Sequence, residues 1–411
     1  MFGSKMKKTI LRYLPFFSFY LHQGMITALI FQGIVGYFRN EGMNLAQLSW
    51  LYIAMMPWIG KFLWSPWFER NSLTLFKNRY LGSLVLIQVT IILFFVIGSF
   101  IEKTTPIWIV ISFSTLLMLL SSLHGIYANG ILLFSFKKDE HSYATVTQIG
   151  GSYSGIILGV FAFLTITQYT NWQIGFLFMA GVSSLLLLSI FFLNTIEEIP
   201  SGSRKPSFNL SCIKEVWSGI LLSAIYYIAN RGIMSLETVF LIDQGLDISK
   251  VGTILTINNT IFSGIGILLG GFILRKLNNI QCIITVMLMN FIIAIIFVAG
   301  QSQFSLTNWI LLYAIFSIFA SIGFVTLYSI LMSMVRAHQP ASDYALFQSI
   351  DMSVAMIMSF IAVRLAQYGY DVSYSLMAGI SLFSIITIVL LHEKLFKNTN
   401  TLKLDEEMEI L

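Results

Sequence analysis

The sequence predicts an all-α membrane protein whose twelve transmembrane helices form two six-helix halves. The chain of 411 residues is 56% hydrophobic and only 10% charged, and its mean hydropathy is +0.81. A soluble domain carries about 25% charged residues, so this composition indicates a surface that faces lipid. Apolar stretches of about 20 residues, the length that crosses a bilayer, recur along the chain.

Twelve segments have the length and composition of spanning helices, and a polar linker separates the sixth from the seventh. The linker, Asn194 to Ser211, is rich in serine, proline and charged residues. We therefore expect an N-terminal half at 1–194, a cytoplasmic linker at 195–213, a C-terminal half at 214–393 and a cytoplasmic tail at 394–411. With approximate ends, the predicted spans are 10–38, 45–64, 80–101, 106–135, 142–168, 171–194, 214–241, 250–274, 279–300, 306–335, 342–367 and 371–392.

The distribution of lysine and arginine predicts that both termini lie in the cytoplasm. An even number of spans places both ends on one side of the membrane. The loops on that side hold eighteen of the 24 basic residues, whereas the opposite loops hold three, Arg39, Lys103 and Lys250. Because cytoplasmic loops carry the excess of positive charge, both ends are expected on the cytoplasmic side of the membrane.

Two pairs of similar segments indicate that the halves are copies of one unit. "EGMNLAQLSWL" (41–51) and "QGLDISKVGTI" (244–254) align at an offset of 203, each between the first two helices of its half. "YATVTQ" at Tyr143 and "YALFQS" at Tyr344 match at an offset of 201, each opening a fifth helix. This six-plus-six plan resembles the major facilitator superfamily, which implies transport of a small molecule held between the halves near the bilayer centre.

Composition and motifs disfavour several other classes of function. The basic residues are spread between apolar runs, so the expected partner is the lipid bilayer and not nucleic acid. No Walker motif indicates ATP hydrolysis, so the driving energy is expected to come from an ion gradient, with protons as the coupling ion. A membrane-embedded transferase is the rival class, but it requires clustered histidine and aspartate at one membrane face. No catalytic residue, cofactor or metal site is predicted, and the sequence is compatible with a functional monomer.

Arg231 and Asp351 are the main functional candidates among the ionisable groups of the predicted spans. Such groups are costly inside the bilayer, so each is a candidate for function. Arg231, in "YYIANRGIMSLE", offers donors suited to a carboxylate or a hydroxamate-like anion, and a structural partner on another helix is the alternative. Asp351, in "FQSIDMSVAM", is a candidate for proton coupling, and the alternative is neutralisation by Arg231 or by a histidine.

Other polar residues complete the expected binding site and proton route. His22 and His124 are candidates for solute binding or proton relay, with a contact between helices as the alternative. Glu237 follows Arg231 at a spacing that does not favour pairing along the helix, and it is a second candidate for proton coupling. The remaining candidates for solute binding are polar side chains of the first, fourth, seventh and tenth helices, the helices that line the cavity in such folds: Gln23, Tyr127, Asn230 and Tyr328.

The stretch "PWIGKFLWSPWFER" (Pro57–Arg70) closes the second predicted span and is the expected cytoplasmic gate. Lys61 lies five residues before Pro66, so its stem is expected to lie along apolar neighbours with its ammonium among the headgroups. Glu69 and Arg70 fall in the predicted loop after the second helix, where an acid can meet the positive N-terminus of another helix. Gating together with anchoring is the interpretation for this pair, and anchoring alone is the alternative.

Four segments resemble AmpG-like permeases and the siderophore-uptake permeases of the rhizobactin and pyochelin type. They occur in both halves, in the order and at the spacing of that group: "YFRNEGMNLAQLSWL" (37–51), "KFLWSPWFER" (61–70), "QIGGSYSGIILG" (148–159) and "ASDYALFQS" (341–349). The chain departs from the group at Ser154, where the group usually has arginine. It departs again in "SSLHGIYAN" (121–129), which lacks the acids that the fourth helix often carries.

The resemblance implies uptake of a large polar solute across the inner membrane. A siderophore or ferric siderophore is the first expectation, and a muropeptide is the nearest rival. AmpG-type proteins often run longer at the C-terminus than the short charged "KNTNTLKLDEEMEIL" of this chain, which favours the siderophore. Export of a siderophore is the third alternative.

Overall fold

The structure, a computed structural model, describes residues 2–75, 80–102, 104–135, 141–193, 216–273, 279–334 and 340–409. The predicted linker at 195–213 lies outside these ranges. Within them, helices follow one another with short connections, and each predicted span corresponds to one helix or to one series of stacked helical pieces. The all-α fold that the apolar segments predict is therefore confirmed.

The first six spans contain both regular helices and helices with a local change of winding. Three of them include such a change: α1 has a π-helical turn at Leu29–Gly33, α5 has one at Ile157–Ala162, and α2 begins in α-helical and then 3₁₀ geometry. Their bounds are α1 Phe2–Ala28 continuing to Ile34–Asn40, α2 Leu45–Leu48, Ser49–Met55, Met56–Ile59 and Lys61–Arg70, α3 Leu81–Gly98, α4 Ile107–Ser135, α5 His141–Ile156 continuing to Phe163–Tyr169, and α6 Trp172–Leu187 with a 3₁₀ end at Leu188–Phe192.

The last six spans are more regular, and only α8 changes its winding in the middle, through a π-helical turn at Asn258–Phe262. The last helix extends beyond its predicted span and continues into the residues of the predicted tail. The bounds are α7 Trp217–Asp243, α8 Ile248–Ile257 continuing to Ser263–Ile273, α9 Asn279–Ala299, α10 Leu306–Met334, α11 Pro340–Leu365 and α12 Tyr370–Glu409.

Eleven of the described helices are long and apolar enough to cross a membrane, and α2 is the predicted span that is missing from this set. Gly60 separates the last two of its three α-helical pieces, so no single regular helix of α2 reaches the required length. The last piece continues through Pro66 to Arg70, beyond the predicted end at residue 64. A non-helical break within a span is tolerated only where protein or water can satisfy the freed backbone groups.

The chain divides into two compact units, each built mainly from one set of six helices. The first unit comprises Met1–Met43, Ile53–Ser207 and Gly245–Thr256, and the second comprises Asn44–Tyr52, Phe208–Gln244 and Ile257–Leu411. The start of α2 thus belongs to the second unit, where Arg364 Nη1 donates to the carbonyl of Ala46 at 3.0 Å. The start of α8 belongs to the first unit, where the backbone N–H of Ser249 donates to Oε1 of Gln168 at 2.7 Å.

The connections α1–α2 and α7–α8 have the same backbone conformation. Gly42 and Gly245, which the sequence alignment pairs at an offset of 203, have φ angles of 87° and 84°. In each connection the residue before the glycine donates its N–H to the carbonyl four residues earlier, at 3.0 and 2.9 Å. Positive φ strongly favours glycine, so the two connections share a specific local requirement, which supports the duplication.

Glycines allow α1 and α5 of the first unit to pack backbone against backbone. A Cβ atom built on Gly24 would lie 2.2 Å from the carbonyl oxygen of Ser152, and one built on Gly155 would lie 2.3 Å from that of Leu21. Real Cβ atoms do not approach other atoms so closely. The "GGSYSG" run is therefore a helix-packing motif of the small-residue type.

In the second unit, α7 packs along α11 and α9 packs along α12. An aromatic cluster fills the space at one end of these helices. The ring of Phe297 stacks on the ring of Tyr374 with centroids 4.5 Å apart, and Phe240 meets Trp309 edge-on at 4.8 Å. The hydroxyls of Tyr313 and Tyr374 share a hydrogen bond inside this cluster. Together these contacts fix the spacing of the helices that carry the charged residues of the unit.

Candidate functional site

The centre of the candidate site in the second unit is an ion pair between α7 and α11. Arg231 Nε lies 2.8 Å from Oδ1 of Asp351, and Arg231 Nη2 lies 2.5 Å from Oδ2. The arrangement is the bidentate one in which two parallel N–H groups meet both carboxylate oxygens. The arginine side chain is 18% exposed and the aspartate side chain 5% exposed. The pair therefore lies inside the unit, with the guanidinium nearer to its surface.

Neighbouring side chains hold the guanidinium in this orientation. The Arg231 guanidinium carbon lies 5.0 Å from the ring centroid of Tyr227, which is a cation–π geometry, and Nη1 lies 3.8 Å from the sulfur of Met234. Both neighbours are on α7, within one turn of the arginine. Pairing of Arg231 with Asp351, the predicted alternative to solute binding by the first and proton coupling by the second, is present in the structure.

Asn230, predicted to contact solute, forms hydrogen bonds within the protein. Its Nδ2 donates to the carbonyl of Tyr226 at 3.0 Å, and its Oδ1 accepts from Nδ2 of Asn290 on α9 at 2.7 Å. The residue is buried, and both ends of its carboxamide are occupied within the protein. Tyr226 in turn donates to the carbonyl of Ala320 on α10 at 2.8 Å. This chain of bonds joins α7 to α9 and α10 beside the charged pair.

Glu237 lies further along α7 and faces α8. Asn258, the first residue of the π-helical turn of α8, donates from Nδ2 to Oε1 of Glu237 at 2.5 Å. Both side chains are buried. A π-helical turn often marks a functional position, because the extra residue alters which side chain faces inward. Glu237 is thus a second buried carboxyl group. Its partner is the neutral amide of Asn258, whereas the partner of Asp351 is the guanidinium of Arg231. Tyr328 is half-buried on α10 and packs against Phe324 at 4.2 Å.

In the first unit, His22 and His124 form a buried pair. Their ring centroids are 4.9 Å apart, and neither side chain is exposed. His22 Nε2 shares a hydrogen bond of 2.7 Å with Oγ of Ser183, and His124 Nε2 lies 3.4 Å from Oε1 of Gln88. Gln88 also donates to the carbonyl of Ser183 at 3.1 Å, so that α1, α3, α4 and α6 are joined. In this structure the pair is a contact between helices, the alternative given for both residues.

Lys61 lies beside α4. Its Nζ lies 4.7 Å from the ring centroid of Trp58 and would be 3.2 Å from a Cβ atom built on Gly125 of α4. Gln23 of α1 approaches the same point, with Nε2 at 2.7 Å. The absence of a side chain at Gly125 leaves room for the ammonium. The placement of this ammonium among the headgroups stays a prediction.

The predicted gate falls at the last turn of α2. Arg70 is exposed in that turn, and the side chain of Glu69 lies outside the described residues. Tyr127 of α4 is buried and donates from its hydroxyl to the carbonyl of Phe68 at 3.0 Å. Its polar group thus fastens the end of α2 to α4, which differs from the solute contact expected of it. This bond gives the gate region a defined attachment within the first unit.

The structure thus brings the predicted residues into three groups: Arg231 with Asp351, Glu237 with Asn258, and the histidine pair with Lys61 and Gln23 nearby. Sequence reasoning missed Gln88, Ser183 and Asn290, because single polar residues within apolar helices carry no pattern. Among the described residues no group of three or more His, Cys, Asp or Glu side chains is placed to hold a metal ion. The chemistry available to these groups is ion pairing, hydrogen bonding and proton exchange.

Comparison with known proteins gives a family model and one type of curated relative. Residues 13–359 match the model described as Major Facilitator Superfamily. The anhydromuropeptide permease of Escherichia coli (strain K12) is 20% identical over 270 residues, which are 64% of this chain and 55% of that protein. The chain therefore spans about half the length of this relative.

Solved structures of transporters share the fold over nearly the whole chain. A bacterial homolog of the human lysosomal transporter Spinster, inward-facing and occupied, has a TM-score of 0.65 at 13% identity, covering 96% of this chain and 97% of its own. The nucleoside transporter NupG has a TM-score of 0.67 at 14% identity, with coverages of 93% and 99%. A peptide transporter POT in complex with sulfate has a TM-score of 0.68 at 12% identity, with 95% of each chain covered.

The family model covers most of the chain, and the apolar helices and the structural neighbours agree with it. The protein is therefore a multi-pass membrane transport protein, not an enzyme, and it belongs to the Major Facilitator Superfamily.

Proposed function

We propose that this transporter imports a bulky anionic solute across the bacterial inner membrane together with protons. The bidentate pair of Arg231 and Asp351 is the observation that carries this proposal. Both charges lie within membrane-spanning helices, where an ionisable residue is costly and is retained for function by default. The excess of basic residues in one set of loops supports an orientation with both termini in the cytoplasm.

The pair supplies a mechanism for coupling. While Asp351 is ionised, it occupies the two parallel donors of the guanidinium that would otherwise bind a carboxylate. A proton taken up by Asp351 removes its charge and weakens its hold on Arg231. The solute anion then replaces the aspartate at the guanidinium. Loss of the proton on the cytoplasmic side restores the ion pair and displaces the solute, so that binding of proton and solute favour each other.

Glu237 offers a second position for a proton on the same helix. Its hydrogen-bond partner Asn258 is neutral, so protonation changes the charge of this site without breaking an ion pair to that partner. An Asn258 amide can donate to either form of the carboxyl. We therefore assign proton coupling to both acids, with Asp351 acting on solute binding and Glu237 acting through the contact of α7 with α8.

A siderophore or ferric siderophore is our first candidate for the solute. The four segments that resemble siderophore-uptake and AmpG-like permeases lie in both halves of the chain. Carboxylate and hydroxamate groups of siderophores suit the guanidinium of Arg231. A muropeptide is the second candidate, and the similarity to the anhydromuropeptide permease favours it. Both are bulky polar molecules with acidic groups, so the site geometry is compatible with either one.

Uptake into proteoliposomes tests the proposal. The purified protein is reconstituted, a proton gradient is imposed, and entry of a radiolabelled ferric carboxylate siderophore is compared with entry of an anhydromuropeptide. We expect one of them to enter faster with the gradient than without it, and an ionophore that dissipates the gradient should abolish the difference. Absence of gradient-stimulated entry for both solutes would contradict the proposal.

Growth of the organism separates the two candidates. Cells without the gene are grown under iron restriction with single siderophores as the iron source, and their peptidoglycan fragments are analysed in parallel. Failure to use one siderophore is the expected result. Normal iron use together with release of muropeptides into the medium would identify the second candidate instead.

A further inference from the structure

Several hydrogen-bond donors of the first unit lie beside the break in α2. Gly60 interrupts the helix between Met56–Ile59 and Lys61–Arg70, and the ring of Trp64 lies where a Cβ atom on this glycine would be, at 2.4 Å. A side chain at position 60 would therefore displace the tryptophan. Trp58, Lys61 and Trp64 thus lie close to the break at Gly60.

Lys61 and Gln23 meet beside Gly125 of α4. A Cβ atom built on Gly125 would be 3.2 Å from Lys61 Nζ and 2.7 Å from Gln23 Nε2, so the two nitrogen atoms are close neighbours. Both side chains are half-buried, whereas His22 and His124 behind them are fully buried. The ammonium and the amide are thus the members of this region that a solute can reach from the surface of the unit.

The polar groups that gather here are mainly donors. Lys61 has three N–H donors and no acceptor, and each indole has a single donor. The Nε1 atoms of Trp58 and Trp64 are buried and have no hydrogen-bond partner among the described residues. A ligand that accepts hydrogen bonds from the Lys61 ammonium and the Gln23 amide would be stabilised by these two reachable donors. A carboxylate, with two acceptor oxygens and a negative charge, suits such a set.

We propose that the broken part of α2 forms an anion-binding subsite, in which Lys61 and Gln23 hold an acidic group of the solute. This inference rests on the proposed function and adds to it a cationic contact for the solute in the first unit.

An electrostatic measurement tests the subsite without any transport. Gln23→Cys is introduced into a Cys212→Ser, Cys282→Ser background in the full chain. The rates of its modification by a negatively charged sulfonate thiosulfonate reagent and by a positively charged ammonium analogue are then compared. Because a nearby ammonium attracts the first reagent and repels the second, Lys61→Gln should lower the ratio of the two rates about tenfold.

A matched lysine provides the control for this measurement. Lys250 belongs to the same compact unit but is exposed and paired with Asp247 at 3.3 Å, so Lys250→Gln should leave the ratio unchanged. An unchanged ratio in Lys61→Gln would overturn the subsite. A fall of the ratio in Lys61→Gln alone, measured on protein that elutes as a single species, supports it.

Transport kinetics distinguish binding from gating. With the solute that enters in the uptake assay, Lys61→Gln should raise KM about tenfold and change the maximal rate by less than about twofold, because a lost ground-state contact acts on binding. Lys61→Arg should retain most of the affinity. A fall of the maximal rate at unchanged KM would overturn the subsite in favour of a gate. If neither solute enters with wild-type protein, the proposed function fails, and the modification ratio still decides the electrostatic claim.

Discussion

Arg231 and Asp351 meet through two parallel hydrogen bonds between α7 and α11, with the guanidinium nitrogens 2.8 and 2.5 Å from the two carboxylate oxygens. Each charge offsets the cost of placing the other inside a membrane-spanning bundle. In the proposed mechanism, a solute anion binds the guanidinium in competition with the aspartate. Transport and stability would then depend on the same pair, so variants must separate the two effects.

Arg231→Ala should abolish uptake and also lower stability, since it leaves Asp351 buried without its counter-charge at a cost of about 3–5 kcal/mol. The measurements are uptake into proteoliposomes and thermal unfolding in detergent. The double variant Arg231→Met, Asp351→Leu is the control, because two apolar residues of similar volume remove both charges. We expect it to regain most of the melting temperature and none of the uptake. Uptake at the wild-type rate in the double variant would make the pair purely structural.

Asp351→Asn should make the rate of uptake independent of pH. In the proposed mechanism protons enter together with the solute, so uptake by the wild type should rise as the external pH falls. The asparagine cannot change its charge, so the variant should bind solute equally well at all pH values and lose stimulation by the gradient. Exchange of labelled for unlabelled solute, which needs no net proton movement, should persist. A pH profile identical to that of the wild type would assign the residue to structure.

Glu237→Gln should preserve the fold and impair coupling. Glutamine keeps an oxygen that can accept from Asn258 Nδ2, so the contact of α7 with α8 survives and the melting temperature should change little. The variant cannot carry a proton, and gradient-driven uptake should fall while solute exchange continues. Asn258→Ala is the companion variant, which removes the contact but keeps the carboxyl. Full gradient-driven uptake in Glu237→Gln would exclude the residue from coupling.

Gly155→Ala should destabilise the first unit. A Cβ atom there would lie 2.3 Å from the carbonyl oxygen of Leu21, which is backbone and cannot rotate away, so α1 and α5 must separate. Gly181→Ala on α6 is the matched control, since no atom lies within 4 Å of its Cβ position. We expect the first variant to lose several degrees of melting temperature and the second to lose none. Equal melting temperatures would show that the approach of the two helices is adjustable.

Much of the fold was readable from the sequence because lipid imposes a strict length and polarity on each span. The offset of 203 between the two copies even identified the connections that share a left-handed glycine, Gly42 and Gly245. The altered windings were not predictable in this way. Gly60 and the π-helical turns of α1, α5 and α8 depend on what each helix packs against, and hydropathy does not contain that information.

The candidate site was only partly predictable for the same reason. The depth of Arg231 and Asp351 follows from position in an apolar run, and their proximity was foreseen as one alternative. The contact of Lys61 with α4 was not predicted, because it depends on the small residue Gly125, which makes room for the ammonium there. The partners of His22, His124 and Asn230 lie far away in the chain, so their pairing depends on tertiary packing.

The twin left-handed glycines also offer an internal comparison of the two copies. No atom lies within 4 Å of a Cβ position at Gly42 or Gly245, so an alanine at either place meets only the intrinsic torsional penalty of about 1–2 kcal/mol. The same perturbation can thus be applied once to each repeat, free of steric complications. The alanine variant that unfolds faster would show which of the two repeats limits the unfolding rate of the whole protein.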